Sequence, residues 1–192
     1  VEARKPYDID TLTDVALGVF AERGYDASSM DDVARAAGIT KASIYHHVTG
    51  KEALLERGLR RALDALFAVP TQDGAISGSP LERLRFIVRR VAEITFTLQP
   101  ELSVLFRIRG NSEVEREAIA RRRAFDRIVT GLVAEAQADG ALRGDLDAAI
   151  VARLLFGMSN SVVEWYRRGG RIDDAEIARA VVAIAFEGLE RT

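Results

Sequence analysis

The chain has 192 residues, 48% of them hydrophobic and 29% charged, with a formal net charge of −2 and no cysteine. That length suits one large domain or a small one beside a medium one, and the composition is that of a soluble globular protein rather than a disordered or fibrous one. Without cysteine there is no disulfide framework and no thiolate metal site.

No window approaches the ~20 uninterrupted apolar residues of a membrane span, and the stretch VEARKPYDID lacks an apolar signal core. A cytoplasmic protein with no membrane partner is therefore expected. Hydrophobic periodicity then predicts a nearly all-helical chain. Ile9, Leu12, Ala16, Val19 and Phe20 recur at helical spacing, and Gly24 offers a left-handed stop. Ser29 before Met30-Asp31-Asp32 reads as an N-cap with acids in the first turn, opening a helix that runs to Ala37. Gly38-Ile39-Thr40 is a tight turn, and Thr40 caps a short helix, Thr40–Val48, with Ile44 and Val48 on its inner face.

Lys51 opens a longer helix with Leu54, Leu55, Leu59, Leu63, Leu66 and Phe67 inward. The stretch VPTQDGAISGSP, Val69 to Pro80, reads as a loop. Helices are expected over Leu81–Leu98, ended by Pro100, over Glu101–Arg109, halted by Gly110-Asn111, and over Glu113–Ala138. After a turn at Gly140–Asp145, the last two are Asp147–Arg168 and Asp173–Arg191. The outcome is an all-α, nine-helix, two-domain chain: three helices in a head, a connector, and five in a body. The boundary falls at residue 50, giving domains 1–50 and 51–192.

Between Val33 and Lys51 the chain carries Arg35, Lys41, Lys51 and both of its histidines, His46 and His47, without one acidic residue. Residues 1–52 as a whole hold six Lys/Arg against nine Asp/Glu. A positive island on an acidic stretch, centred on a helix–glycine turn–helix, is what a DNA-reading element needs, because phosphate contacts are made by a few positioned groups. Ala34, Ala37 and Gly38 are small enough for two helices to cross steeply.

The second helix would turn Lys41, Ala42, Ser43, Tyr45, His46 and His47 outward. Lys41, Ser43 and His46 are the candidate base-edge readers, with Ala42 against a thymine methyl. Ser28, Tyr45, Thr49 and Lys51 are the candidate phosphate contacts, and the caps Ser29 and Thr40 belong to the same surface. Adjacent histidines on a helix point ~100° apart, and no third His or Cys stands elsewhere, so a metal site is not expected. An enzyme would need converging acids and bases. Here both histidines lie on the presumed DNA face, no Glu-x-x-His pair occurs, and no glycine loop cradles a phosphate, so neither catalytic residues nor a cofactor are expected.

The run FAERGYDASSMDDVARAAGITKASIYHHVTGKEALL resembles the DNA-binding head of the tetracycline-repressor (TetR) family. The resemblance is carried by Phe20, Gly24, Met30–Ala34, Gly38–Lys41, Ile44-Tyr45 and Lys51–Leu54, over about residues 8–60. Val48 departs from it, where the family commonly has Phe. The resemblance implies a homodimeric repressor with an N-terminal DNA-binding domain and a C-terminal domain that senses a small hydrophobic effector. Its partners would be a palindromic double-stranded DNA operator, a second copy of the chain, and that effector.

Pairing would fall to the last two helices, through Val151, Leu155, Met158, Val162, Ile177, Val181 and Ile184, as a four-helix interface. The candidate pocket lining is Phe67, Phe86, Phe96, Phe106, Phe125 and Trp165, with Arg107, Arg109 and Asn160 as polar members. The segment EWYRRGGR, Glu164 to Arg171, is similar to one in acyl-CoA-responsive members of the family. It points to a fatty-acyl or related CoA thioester whose acidic groups would meet Arg107, Arg109 or Arg168.

Overall fold

The computed structural model describes residues 8–166 and 172–189. Among them the regular structure is helical throughout: ten α-helices and one short 3-10 helix. The chain packs as two compact units. One comprises the described residues up to Ala62 with Pro100–Ile119, and the other Leu63–Gln99 with the described residues from Ala120 onward. The packing thus does not follow a single cut at residue 50, because a later segment returns to the first unit.

In the first unit, α1 (Ile9–Arg23) is capped by Asp8, whose side chain accepts from the Thr11 amide at 2.7 Å. Its inward face buries Leu12, Ala16, Leu17, Val19 and Phe20. The helices α2 (Met30–Ala37) and α3 (Lys41–Tyr45) follow, and then the first part of α4 (Lys51–Ala68). At Gly58 of α4 a Cβ would lie 2.3 Å from Leu17 Cδ2, so α1 and α4 meet with no room for a methyl group. Arg57 and Arg61 of α4 reach Asp10 of α1 at 2.8 and 3.0 Å, and Arg61 also pairs with Asp14.

The unit is closed by α7 (Gln99–Arg107), from Pro100 on, and by the start of α8 (Glu113–Ala138). Glu115 is 2% exposed. One of its carboxylate oxygens accepts from the successive amides of Arg109, Gly110 and Asn111 at 3.0, 2.8 and 3.1 Å. This satisfies three backbone donors at once, as buried amides require, and fixes the turn between the two helices. Arg107 Nη1 donates to the Ala21 carbonyl at 2.6 Å, and Asn111 Nδ2 to Asp26 Oδ2 at 3.1 Å.

The second unit corrects one expectation. The stretch expected as a loop, Val69 to Pro80, holds a 3-10 turn (Val69–Thr71) and the four-residue helix α5 (Asp73–Ile76), and its last residue is the first of α6 (Pro80–Thr97). Its Pro, Gly and Ser residues are helix punctuation. Pro80 stands at the first helical position, and Ser79 and Glu82 form a reciprocal capping box. Val69 and Ala75 are buried, so the segment is part of the core, and α5 makes the α-helix count ten rather than nine.

The rest of the unit is α8 from Ala120, α9 (Ala148–Trp165) and α10 (Asp174–Glu187). Ala92 and Phe96 of α6 form one buried cluster with Val162, Tyr166, Ile177 and Ala178. Within it the Phe96 and Tyr166 rings meet edge to face at 4.9 Å. Phe125 packs between Phe67 and Phe156 at 5.9 and 5.6 Å. The last two helices are shorter than expected: α9 stops as Tyr166 turns extended, and α10 ends at Gly188, whose φ is 81°. The expected extension through Arg168, and the Arg167–Arg171 part of the EWYRRGGR segment, lie outside the described residues.

Candidate nucleic-acid interface

The reading element is built from local hydrogen bonds. Ser29 caps α2, its hydroxyl accepting from the Asp32 amide while the Asp32 carboxylate accepts from the Ser29 amide at 3.0 Å. The same carboxylate pairs with Arg35 at 2.8 Å and Arg23 at 2.9 Å. Hydrogen bonds from Ser29, and the arginines beside it, hold the Asp32 carboxyl down at about 2. The helix ends at Gly38, whose φ of 64° is left-handed, a conformation a side chain disfavours. Ile39 then donates back to Ala34 at 3.1 Å.

Thr40 caps α3 by accepting from the Ser43 amide at 3.2 Å. Ile44 is fully buried and Val48 nearly so, so the short helix is propped from beneath. Regular helix covers Lys41–Tyr45 only, and His46 to Val48 continue it as a turn, with Val48 donating to Ile44 at 3.1 Å. Thr40, Lys41, Ala42, Tyr45, His46, His47 and Thr49 are exposed and Ser43 partly so. The structure therefore leaves these eight expected DNA-facing residues wholly or partly open to solvent, as it does Ser29. Lys41 Nζ pairs with Asp31 at 2.9 Å. This pair is open to solvent on both sides, and an exposed pair of that kind yields readily to a phosphate or a base.

Two expected phosphate contacts have inward side chains. Ser28 is 5% exposed and its hydroxyl donates to the Gly24 carbonyl at 2.6 Å. Lys51 Nζ donates to the carbonyls of Tyr25 and Ser28, both at 2.8 Å. The Lys51 arrangement has no local sequence signature, because its partners lie more than twenty residues away, whereas the Ser28 bond closes on the same turn.

Comparison with known proteins decides the family. Residues 77–189 match the family described as Tetracyclin repressor-like, C-terminal domain, and residues 12–57 match the bacterial regulatory proteins of the tetR family. The chain belongs to the tetracycline-repressor (TetR) family. It is 31% identical over 191 residues to the HTH-type transcriptional repressor KstR2 of Mycolicibacterium smegmatis, covering 95% of this chain and 91% of that one. The crystal structure of SCO3833, a TetR-family regulator of Streptomyces coelicolor A3, superposes with a TM-score of 0.90 at 45% identity, over 98% of this chain and 94% of that one. AibR, crystallised with isovaleryl coenzyme A and operator DNA, gives 0.78 at 25% identity, over 92% and 97%. As a TetR-family member the chain is a DNA-binding, ligand-responsive transcriptional repressor and not an enzyme.

The effector candidates of this TetR-family chain are divided between the two units. Phe106, Arg107 and Arg109 belong to the first unit, where Arg107 is engaged with Ala21. In the second unit, Phe125 meets Phe67 and Phe156, whereas Phe96 packs on Tyr166 and Phe86 lies beneath Arg89. Asn160 is half-buried, and Trp165 is 52% exposed on the outside of α9.

Of the residues expected to pair two copies, Leu155, Val162, Ile177 and Val181 are buried within the unit, Val151 and Met158 are half-buried, and Ile184 is exposed. Sequence reasoning missed Ile150, which is 57% exposed beside Leu154 at 65%. Its signal was present: Ile150, Leu154, Gly157, Ser161 and Trp165 follow the helical period on the face opposite the buried one. Among the described residues, no group of three or more His, Cys, Asp or Glu is placed to hold a metal ion, and no helix is long and apolar enough to cross a membrane.

Proposed function

We propose that the chain acts as a homodimeric repressor whose α3 surfaces enter successive major grooves of a palindromic operator, and that a coenzyme A thioester releases it. The observation that carries the DNA reading is the exposed, capped α3, with Lys41, Ala42, Tyr45 and His46 outside and Ile44 buried beneath. In this reading Lys41, Ser43 and His46 contact base edges, while Tyr45 and Thr49 hold phosphates with the N-terminal amides of α4. Residues 1–50 then form the DNA-binding domain and residues 51–192 the ligand-binding and dimerisation domain.

Dimerisation is supported by the apolar outer face of α9 and α10. Ile150, Leu154, Trp165, Ile172 and Ile184 are all more than two-fifths exposed, and a cavity of about 420 Å³ lies among Trp165, Ile172 and Ile184. An apolar face of that kind marks an interaction site, and a two-fold pairing of helix pairs is its usual solution. The CoA thioester is supported by the sequence segment from Glu164 to Arg171 and by likeness to AibR. The helix α4 contributes residues to both units and is a covalent route for the ligand signal. A coupling of ~1–3 kcal/mol would change operator affinity by about 5- to 150-fold.

Footprinting of the region upstream of its own gene, with and without acyl-CoAs, tests these points together. The expected result is protection of two half-sites about one helical turn apart, lost on adding the thioester. Protection of a single half-site rejects the dimer. Protection that persists at saturating thioester rejects the effector.

A further inference from the structure

Four arginines of α6 divide into two kinds. Arg83 and Arg90 are ion-paired, with Glu135 and Glu93. Arg85 and Arg89, one helical turn apart, make no ion pair among the described residues. Each instead lies over an aromatic ring: the guanidinium carbon of Arg85 is 5.2 Å from the Phe186 ring centre, and that of Arg89 is 5.7 Å from that of Phe86. Arg85 Nε is buried with no hydrogen-bond acceptor. A buried guanidinium N–H without an acceptor is a destabilising feature, and two like charges a turn apart repel.

Both arginines line one cavity of about 630 Å³, with Phe86 and Val182 as its apolar members. The acid beside them, Glu82, lines the same cavity and sets one negative charge against the two positive ones. Its carboxylate accepts from the amide and hydroxyl of Ser79 at 2.8 and 2.9 Å, as half of the capping box. At Gly74 a Cβ would lie 2.4 Å from Phe86 Cδ2, so the α5 backbone sits against this ring and the ring is held in place. The result is a preformed cationic recess with a fixed aromatic wall.

An oxyanion supplies what this recess lacks: a countercharge for two guanidinium groups that have no carboxylate partner among the described residues. Guanidinium groups make the forked hydrogen bonds that suit phosphate. The volume exceeds that of an inorganic ion, and Phe86 with Val182 offers surface to an aromatic or aliphatic remainder. We propose that the Arg85–Arg89 recess is an anion subsite that takes the phosphorylated nucleotide end of a coenzyme A thioester. The coenzyme part rests on the effector proposed above, whereas the anion site does not.

Calorimetric titration of the full chain with free coenzyme A, pyrophosphate and isovaleryl coenzyme A, repeated on Arg85→Gln/Arg89→Gln, tests the proposal. Free coenzyme A and pyrophosphate are expected to bind the unaltered chain and to weaken about tenfold or more in the double variant. Operator binding without ligand and far-ultraviolet helicity are expected to stay unchanged. Arg85→Lys, which keeps the charge and removes the forked guanidinium donors, should retain only part of the affinity. If the double variant binds coenzyme A and its thioester as tightly as the unaltered chain, the subsite is overturned and the effector reading stands. If both anions bind through the arginine pair but the thioester leaves operator binding intact, the effector reading falls and the anion site stands. If neither anion binds the unaltered chain, the subsite is overturned.

Discussion

The Lys51 ammonium lies 4.2 Å from the centre of the Tyr25 ring while donating to the Tyr25 carbonyl at 2.8 Å. One cation thus ties the first residue of α4 to the turn that precedes α2. The ring it sits over stays neutral, because burial foremost, and then Glu52, Glu115 and Asp26, push the Tyr25 hydroxyl up to about 12. Lys51→Met keeps the apolar stem and removes the two charge-assisted bonds, at a cost of about 1–3 kcal/mol. Urea unfolding should show that loss, and operator and random DNA should weaken alike. An unchanged unfolding midpoint would mean that the ammonium does not hold the turn.

Lys41 should behave in the opposite way. Its pair with Asp31 is exposed at both ends, so Lys41→Ala is expected to leave stability within about 0.5 kcal/mol. Operator affinity should fall by about 1–3 kcal/mol, with a smaller loss on random DNA. Competition binding at one fixed salt concentration reads the ratio, since phosphate contacts alone vary steeply with salt. An equal loss on both DNAs would make Lys41 a phosphate contact only.

Asp32 gives the head an acid limit. Its carboxyl is lowered from 3.8 to about 2 by the Ser29 hydrogen bonds first and by the arginines next. A depressed carboxyl stabilises the fold fully above its unfolded value, and that contribution is lost as pH falls through the folded one. Asp32→Asn should therefore melt lower than the unaltered chain at neutral pH, and the gap should close between about pH 4 and pH 2. Chemical denaturation across that window decides it. A gap independent of pH would show that the charge at Asp32 does not matter.

Leu154, 65% exposed on α9, is the position at which to test pairing. Leu154→Glu should fold with unchanged helicity, because the side chain has little to lose from the interior of its own unit. In sedimentation the variant should run as a monomer where the unaltered chain runs as a dimer, and its operator binding should weaken with the loss of the second head. A variant that remains dimeric would remove this face from the interface.

The legible parts of the sequence were those whose cause lies within four residues. Ser29 with Asp32, Gly38 and Thr40 each act on backbone groups one turn away, so the start of α2, the turn after it and the cap of α3 follow from the letters alone. The same turn chemistry misled at Val69 to Pro80, where Gly, Ser and Pro begin and end short helices whose burial depends on α6. Lys51 and the pair Arg85 and Arg89 were illegible in another way. Lys51 acts on carbonyls more than twenty residues away, and the ring contact of Arg85 depends on Phe186 more than a hundred residues away. For α9 and α10 the period marked which residues are apolar, but nothing in one helix says which of two apolar sides its own neighbours cover, so the expected pairing residues divide between buried Leu155, Val162, Ile177 and Val181 and exposed Ile184.

The flush contact of Gly58 on Leu17 has a consequence for base preference. With α1 and α4 in direct van der Waals register and bridged by Arg57 and Arg61, the scaffold under α3 has no soft layer in which to deform. A ligand signal that travelled along α4, as proposed above, would then shift α3 without reshaping it. Effector and operator sequence would act as independent variables, the first setting how much DNA is occupied and the second which DNA it is.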